Sequence, residues 1–305
     1  MDIRILDLDG SVCGQEILAA CEGARILPLQ DLGPRIRLAC SFGRFRDFEK
    51  ILARREGCYE DKTPHATFFG SGDFHHVSLA LLRRLRFPIN LMVIDNHPDW
   101  MWGVPFMHCG TWLYHASHLP QVERIYHVGG DVDFDNYFQW MAPWSKLRAG
   151  KFRVFPARRR FVRGGWRQVE NEPVRIEPTT PASHQRIETI LEPFRVELAR
   201  RPLYISVDKD VMQEREAIVN WDSGHLELAE VQALLQVVGE FAGGNFAGFD
   251  STGDWSPVRL RGLLGFLMHW TEHPSLRVSA QEASRRNSQA NLALLESIER
   301  ETVRA

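Results

Sequence analysis

The sequence predicts an α/β protein built on a parallel sheet with helices on both faces. Three observations carry that expectation. Short apolar runs alternate with stretches of helical spacing, the pattern of successive β–α–β units. Residues 91–94 (Leu-Met-Val-Ile) are apolar at every position, as a strand buried on both faces must be. Acidic or histidine residues follow the ends of several such runs, where open α/β sheets place their ligands.

In chain order, residues 4–6 open as a short buried strand, and 15–23 and 45–55 follow as helices. Residues 66–69 form a strand closed by Gly70-Ser71-Gly72. Residues 77–86 form an amphipathic helix, with Leu79 and Leu82 on one face and Arg83 and Arg84 off it. Strands follow at 91–94 and 124–128, the second stopped by Gly129-Gly130. Residues 184–200 read as a helix kinked at Pro193, since proline removes a helical hydrogen bond. A strand at 202–207, a helix at 227–242, a strand at 246–249 and a terminal helix at 279–302 complete the series.

One stretch breaks the rhythm. Residues 146–176 are rich in arginine and aromatics, and the runs 152–155 and 160–163 with Gly164-Gly165 predict an inserted β-hairpin. Glu188, Glu192 and Glu197 on the following helix are placed to neutralise its charge. No linker or repeat divides residues 1–305, so a single domain is expected.

Bulk composition narrows the function classes. At 44% hydrophobic and 25% charged, the chain can bury a sizeable core. A net charge of −2 gives no general attraction to nucleic acid or membrane. The five cysteines (Cys13, Cys21, Cys40, Cys58, Cys109) form no C-x-x-C pair, which fits a reducing, cytoplasmic setting. No stretch approaches the ~18 apolar residues of a membrane span.

The chemistry concentrates in two clusters, each at the end of an apolar run: Asp95-Asn96-His97-Pro98-Asp99 and Ser206-Val207-Asp208-Lys209-Asp210. In an extended segment alternate residues share a face, so Asp95, His97 and Asp99 are expected to point together, as are Asp208 and Asp210. Carboxylates can bridge divalent ions and an imidazole can cap one. Two ions about 3.5–4 Å apart can activate water for hydrolysis. The turn Gly70-Ser71-Gly72-Asp73-Phe74-His75-His76 brings histidines to the same sheet edge; one of the pair should face inward, and His75 is preferred. Trp100, Trp102, Phe106, Trp112 and Trp255 lie beside these motifs, as pocket wall or as core.

Taken in order, the motifs resemble the arginase–agmatinase (ureohydrolase) family: Gly72-Asp73-Phe74-His75, Asp95-x-His97-x-Asp99, His108-Cys109-Gly110-Thr111, Ser206-x-Asp208-x-Asp210 and Asp254-Trp255-Ser256-Pro257. The resemblance implies a three-layer α/β/α fold around a mostly parallel eight-stranded sheet, two Mn2+ ions and a small guanidino or amidino substrate. It also suggests a homo-oligomer. By matching positions, His75, Asp95, Asp99 and Asp208 would hold one ion, and Asp95, His97, Asp208 and Asp210 the other. A metal-bridging hydroxide would attack the substrate carbon, with Asp99 orienting it. His108 would protonate the leaving amine, and Asp254 would pair with the substrate's cationic C–N group. The chain departs from the family at Phe74, at Gln213-Glu214 in place of a third aspartate, and at 104–107, which lack the serine and asparagine that grip an amino acid's carboxylate. Arginase activity itself is therefore not expected.

Three rival readings follow from the same residues. A deacetylase-like amide hydrolase of this fold class would use one zinc and the His75-His76 pair. A haloacid-dehalogenase-like phosphatase would use Asp7-Leu8-Asp9, but leaves both aspartate clusters unexplained. A metal-binding relative without turnover is the third.

Overall fold

The computed structural model describes residues 1–15, 21, 23–56, 64–129, 137–157, 181–258 and 278–303. Its strands are β1 (Asp2–Asp7), β2 (Arg25–Pro28), β3 (Ala39–Cys40), β4 (His65–Phe68), β5 (Ile89–Asp95), β6 (Met107–His108), β7 (Val122–Gly129), β8 (Phe152–Pro156), β9 (Leu203–Asp208) and β10 (Phe246–Thr252). Eight of them form one sheet in the order β2-β1-β4-β10-β9-β5-β7-β8, and β3 and β6 pair separately. Every pairing in the large sheet is parallel, and the small pair is antiparallel. The expected α/β architecture with a mostly parallel eight-stranded sheet is the one the chain forms.

Parallel pairing with crossovers on both faces produces two cores. Alternation along β5 sends Met92 and Ile94 to one and Leu91 and Val93 to the other. The first core is covered by the Pro181–Leu191, Leu228–Ala242 and Ala280–Val303 helices, through Ile187, Val231, Leu234, Leu294 and Ile298. The second is covered by Phe42–Glu56, Val77–Leu82 and Trp112–Ala116, through Phe45, Phe48, Leu79, Leu82 and Trp112. Glu227 and Glu230 form a reciprocal capping box that starts the Leu228–Ala242 helix. Pro193 interrupts its helix as expected: a 3-10 turn at Glu192–Phe194 separates Pro181–Leu191 from Arg195–Ala199.

The first arm of the predicted hairpin belongs to the central sheet. Phe152–Pro156 is β8, an edge strand of the central sheet parallel to β7. It buries Phe152 and Val154 on one face and Phe155 on the other. Arg153 is paired with Glu197. The second arm, 160–163, lies outside the described residues, as does most of the helix expected at 15–23.

The consequence for function lies in the strand order. β4, β10, β9 and β5 are consecutive neighbours at the centre of the sheet. Their C-terminal ends lead into His75, Asp254, Asp208 and Asp95 respectively.

Candidate metal centre

The site begins where the β5–β9 ladder runs out. Ile94 pairs with Val207, so Asp95 and Asp208 emerge side by side. Beyond them the backbone has lost its ladder partners, and side-chain oxygens take over. Asp95 Oδ1 accepts from the His97 N–H at 2.7 Å, Asp208 Oδ1 from Asp210 N–H at 3.0 Å, and Asp210 Oδ1 from Asn96 N–H at 3.1 Å. Asp99 sits in the left-handed region, at φ +46°. The residues therefore converge through tight turns, not through the extended alternation expected from sequence.

The turn after β4 delivers the histidine. At Gly70 φ is +93°, and a Cβ would stand 2.5 Å from Asp9 Oδ1, so only glycine fits. His75 then turns Nδ1 toward Asp99 Oδ2 at 3.0 Å, Asp95 Oδ2 at 3.2 Å and Asp208 Oδ2 at 3.5 Å. His76 turns the other way, fully buried against Phe45 with ring centroids 5.6 Å apart. Of the two, His75 faces the carboxylates.

Two sets of possible ligand atoms result, one from His75, Asp95 and Asp99, the other from Asp95, His97 and Asp210, with each set's atoms within 4.8 Å of one another. Asp95 belongs to both, and Asp208 lies between His75 and Asp210. His97 Nδ1 is 2.7 Å from Asp210 Oδ2. The six predicted ligands are thus brought together.

The donor set fits divalent cations. Asp95 Oδ2 and His75 Nδ1 are buried without a hydrogen-bond partner, an arrangement that is costly unless a cation satisfies it. Burial, then a neighbouring carboxylate, raises the pKa of Asp95, Asp208 and Asp210, Asp208 to about 7. Burial pushes both imidazoles down, but the carboxylates outweigh it and hold His75 and His97 above their ordinary range. Oxygen-rich ligands with two imidazoles suit manganese and its neighbours in the first row.

A supporting layer, largely missed from sequence, orients these groups. His75 Nε2 lies 3.0 Å from Ser206 Oγ, which donates to Asp250 Oδ1 at 2.6 Å. Asp250 also accepts from Ser78 Oγ at 3.1 Å and Tyr204 OH at 2.8 Å. The Ser206 proton is committed to Asp250, so His75 Nε2–H donates to Ser206 and Nδ1 is the ring nitrogen turned to the carboxylates. Trp112 Nε1–H donates to Asp99 Oδ2 at 2.7 Å, so this tryptophan positions a ligand. Trp221, unremarked in the sequence, donates to Asp73 and sets its ring edge-on to His97. The one legible signal for Asp250 was an acid inside an apolar strand.

His108 lies on β6, and its Nδ1 accepts from Gly110 N–H at 2.9 Å. That bond fixes its neutral tautomer with the proton on Nε2. A Cβ on Gly110 would lie 3.2 Å from His108 Nδ1 and 3.8 Å from Asp99 Oδ1, so this loop packs directly beside the centre.

Asp254 does not join the group. It is fully buried, with Lys209 Nζ at 3.0 Å from Oδ2 and Gln15 Nε2 at 2.6 Å from Oδ1. The carboxylate expected to pair with a substrate cation is held here in an internal ion pair. Asp7 and Asp9 are likewise used structurally. Asp7 accepts from Gly10 N–H and Gln30; Asp9 accepts from Ser71 N–H and from the Ser11 and Ser256 hydroxyls. Trp100 is core, packed on Phe152, whereas Trp102 is exposed near the site.

The fold is of the arginase-like α/β type, as comparison with solved structures shows. Over 97% of this chain and 98% of the other, it matches the arginase of Bacillus cereus at TM-score 0.59 and 10% identity. The agmatine ureohydrolase of Thermoplasma volcanium gives 0.55 at 13% identity, covering 98% and 90%. The proclavaminate amidino hydrolase of Streptomyces clavuligerus gives 0.55 at 18%, covering 98% and 92%. At such identities the likeness is one of fold. A Thermotoga maritima protein described only as uncharacterized is 25% identical over 265 residues, 84% of this chain and 81% of its own length. No family model matches. Among the described residues, no helix is long and apolar enough to cross a membrane.

Proposed function

We propose that the protein is a metal-dependent hydrolase that cleaves a C–N bond at a trigonal carbon of a small molecule, the bond type found in guanidino, amidino and amide compounds. The observation that carries this reading is the pair of ligand sets sharing Asp95, in which three buried carboxylates converge on His75 Nδ1 within 3.0–3.5 Å. His75, Asp95, Asp99 and Asp208 would hold one ion, and Asp95, His97, Asp208 and Asp210 the other, manganese being the metal proposed. When bound, such ions lower the pKa of water and offset negative charge developing on the substrate.

The chain's own residues supply the rest. The Ser206–Asp250 pair holds His75 in the tautomer that presents Nδ1. Trp112 fixes one oxygen of Asp99. His108, with its proton on Nε2, is the proton donor proposed for the leaving nitrogen.

Elemental analysis of purified protein tests the reading, comparing wild type with the double variant Asp95→Ala, Asp208→Ala. Near two ions per chain, lost in the variant, is the expected outcome. Ammonia or urea release over guanidino, formimino and amide compounds then identifies turnover. A single zinc per chain would favour the deacetylase-like reading instead. Two ions with no turnover would favour a non-catalytic relative.

A further inference from the structure

Acidic groups beside the centre carry cations of their own. Outside the six proposed ligands, Asp73 stands in the turn that delivers His75, and Asp254 follows β10. Arg37 Nε donates to Asp73 Oδ2 at 2.6 Å, and both side chains are buried. Lys209 Nζ donates to Asp254 Oδ2 at 3.0 Å, with side-chain exposures of 0% and 1%. Its remaining protons go to Thr252 O at 2.6 Å and Ser251 Oγ at 3.2 Å. Asp254 Oδ1 accepts from Gln15 at 2.6 Å and Asn291 at 3.2 Å. All three ammonium protons and both carboxylate oxygens are therefore committed.

Placement makes this pair relevant to substrate. Lys209 sits between two proposed ligands, Asp208 and Asp210, and its side chain leaves on the other side, toward the Ala280–Val303 helix that carries Asn291. Asp250, the remaining buried carboxylate nearby, is held by three hydroxyls. A guanidinium or amidinium entering this interior needs an unpaired carboxylate, because a desolvated cation without one is strongly disfavoured. Among the described residues, the buried acids offer none beyond the proposed metal ligands. Trp221 and Phe106 flank His97 and His108 with neutral rings.

We infer that Lys209 and Asp254 close the acidic subsite behind the centre as an internal ion pair, and that the group hydrolysed is neutral, a carboxamide or ureide O=C–N unit, not a guanidinium or amidinium. This rests on the two-metal reading above.

Acetamide and acetamidinium test it, since they share a shape and differ in charge. Proton relaxation of their methyl groups is measured with manganese-loaded protein, where unpaired electrons relax any probe held at the centre. At least tenfold tighter binding of acetamide is expected. Equal or tighter binding of acetamidinium overturns the inference, as does binding of neither probe. Metal content of the same sample separates the two failures. Fewer than two ions per chain sinks the two-metal reading; two ions with a preference for the cation sinks the neutral substrate alone. Lys209→Met frees Asp254 and is expected to raise acetamidinium binding at least tenfold, a gain that Lys209→Met with Asp254→Asn abolishes. The double variant removes both charges of this pair, so its folding checks that the site survives without it. A folded Lys209→Met protein without that gain also overturns the inference.

Discussion

Asp250→Asn is expected to weaken metal binding while leaving the fold intact. In the native chain the carboxylate accepts three hydroxyl hydrogen bonds, two on Oδ1 and one on Oδ2. An asparagine keeps one acceptor oxygen and places an NH2 on the other side. If the NH2 meets Ser206, that hydroxyl must accept from it and point its own proton at His75 Nε2. The imidazole then carries its proton on Nδ1, the atom that faces Asp95 and Asp99. If the NH2 meets Tyr204 instead, the phenol rotates to accept, and Ser206 keeps a neutral, weaker acceptor. Loss of such an outer partner typically costs 10–100-fold in metal affinity, or about 1.4–2.7 kcal/mol. Removing the charge also removes a desolvation penalty, since burial raises the Asp250 pKa, so metal-free stability should change by less than ~1 kcal/mol. Manganese titration against a competing chelator measures the first quantity, and urea melts of metal-free protein the second. An affinity within twofold of wild type at unchanged stability would refute the claim that Asp250 sets the His75 tautomer.

Three further outcomes follow. His75→Ala should lose bound metal, whereas His76→Leu should keep two ions per chain, because His76 packs on Phe45 away from the carboxylates; reversed stoichiometries would exchange the roles. Gly253→Ala, at φ +89° with its Cβ aimed into Asp208 Oδ1, should cost about 1–3 kcal/mol and at least tenfold in metal affinity. Equilibrium unfolding and metal titration check both figures. Metal-free protein should lose stability as pH rises from 7 to 9. Folding raises the pKa of His75 and His97, the latter to about 10, so over that range the folded state holds protons the unfolded chain has lost and stability falls with pH, while the buried His76 and His127, lowered by folding, are neutral in both states there. The melting-temperature gain on adding manganese should grow over the same range. A metal-free protein that is more stable at pH 9 than at pH 7 contradicts this account.

The parts of this structure legible in the sequence are those encoded in contiguous residues. Strands such as β5 and β9 are apolar on both faces, so composition alone reveals them. The six candidate ligands could be named because each ends a strand or follows a glycine turn. Edge strands were harder. β2 exposes three of its four residues and ends in proline, and β8 carries an arginine whose partner, Glu197, lies 44 residues away. The partner of Asp254 was illegible for the same reason: Lys209 lies 45 residues earlier, outside the local motif. The choice between His75 and His76 likewise depends on which core the helix after them covers.

The convergence itself has a topological cause. In a parallel sheet all C-terminal ends lie on one edge, and β5 and β9 are hydrogen-bonded neighbours although over 100 residues separate them. Each must turn sharply as its ladder ends, and an aspartate that caps its own turn does so with one oxygen. Asp95 and Asp208 each use Oδ1 this way and leave Oδ2 directed at His75. The same carboxylate thus fixes the backbone and presents a ligand, so the site needs little beyond the turns that end its strands. Lys209 shows the complementary effect. One residue's displacement reverses the side, and a cation placed between two acidic ligands is carried to Asp254 instead of collapsing onto them. Exchanging Lys209 for a neutral residue would therefore alter the charge behind the centre without touching a ligand.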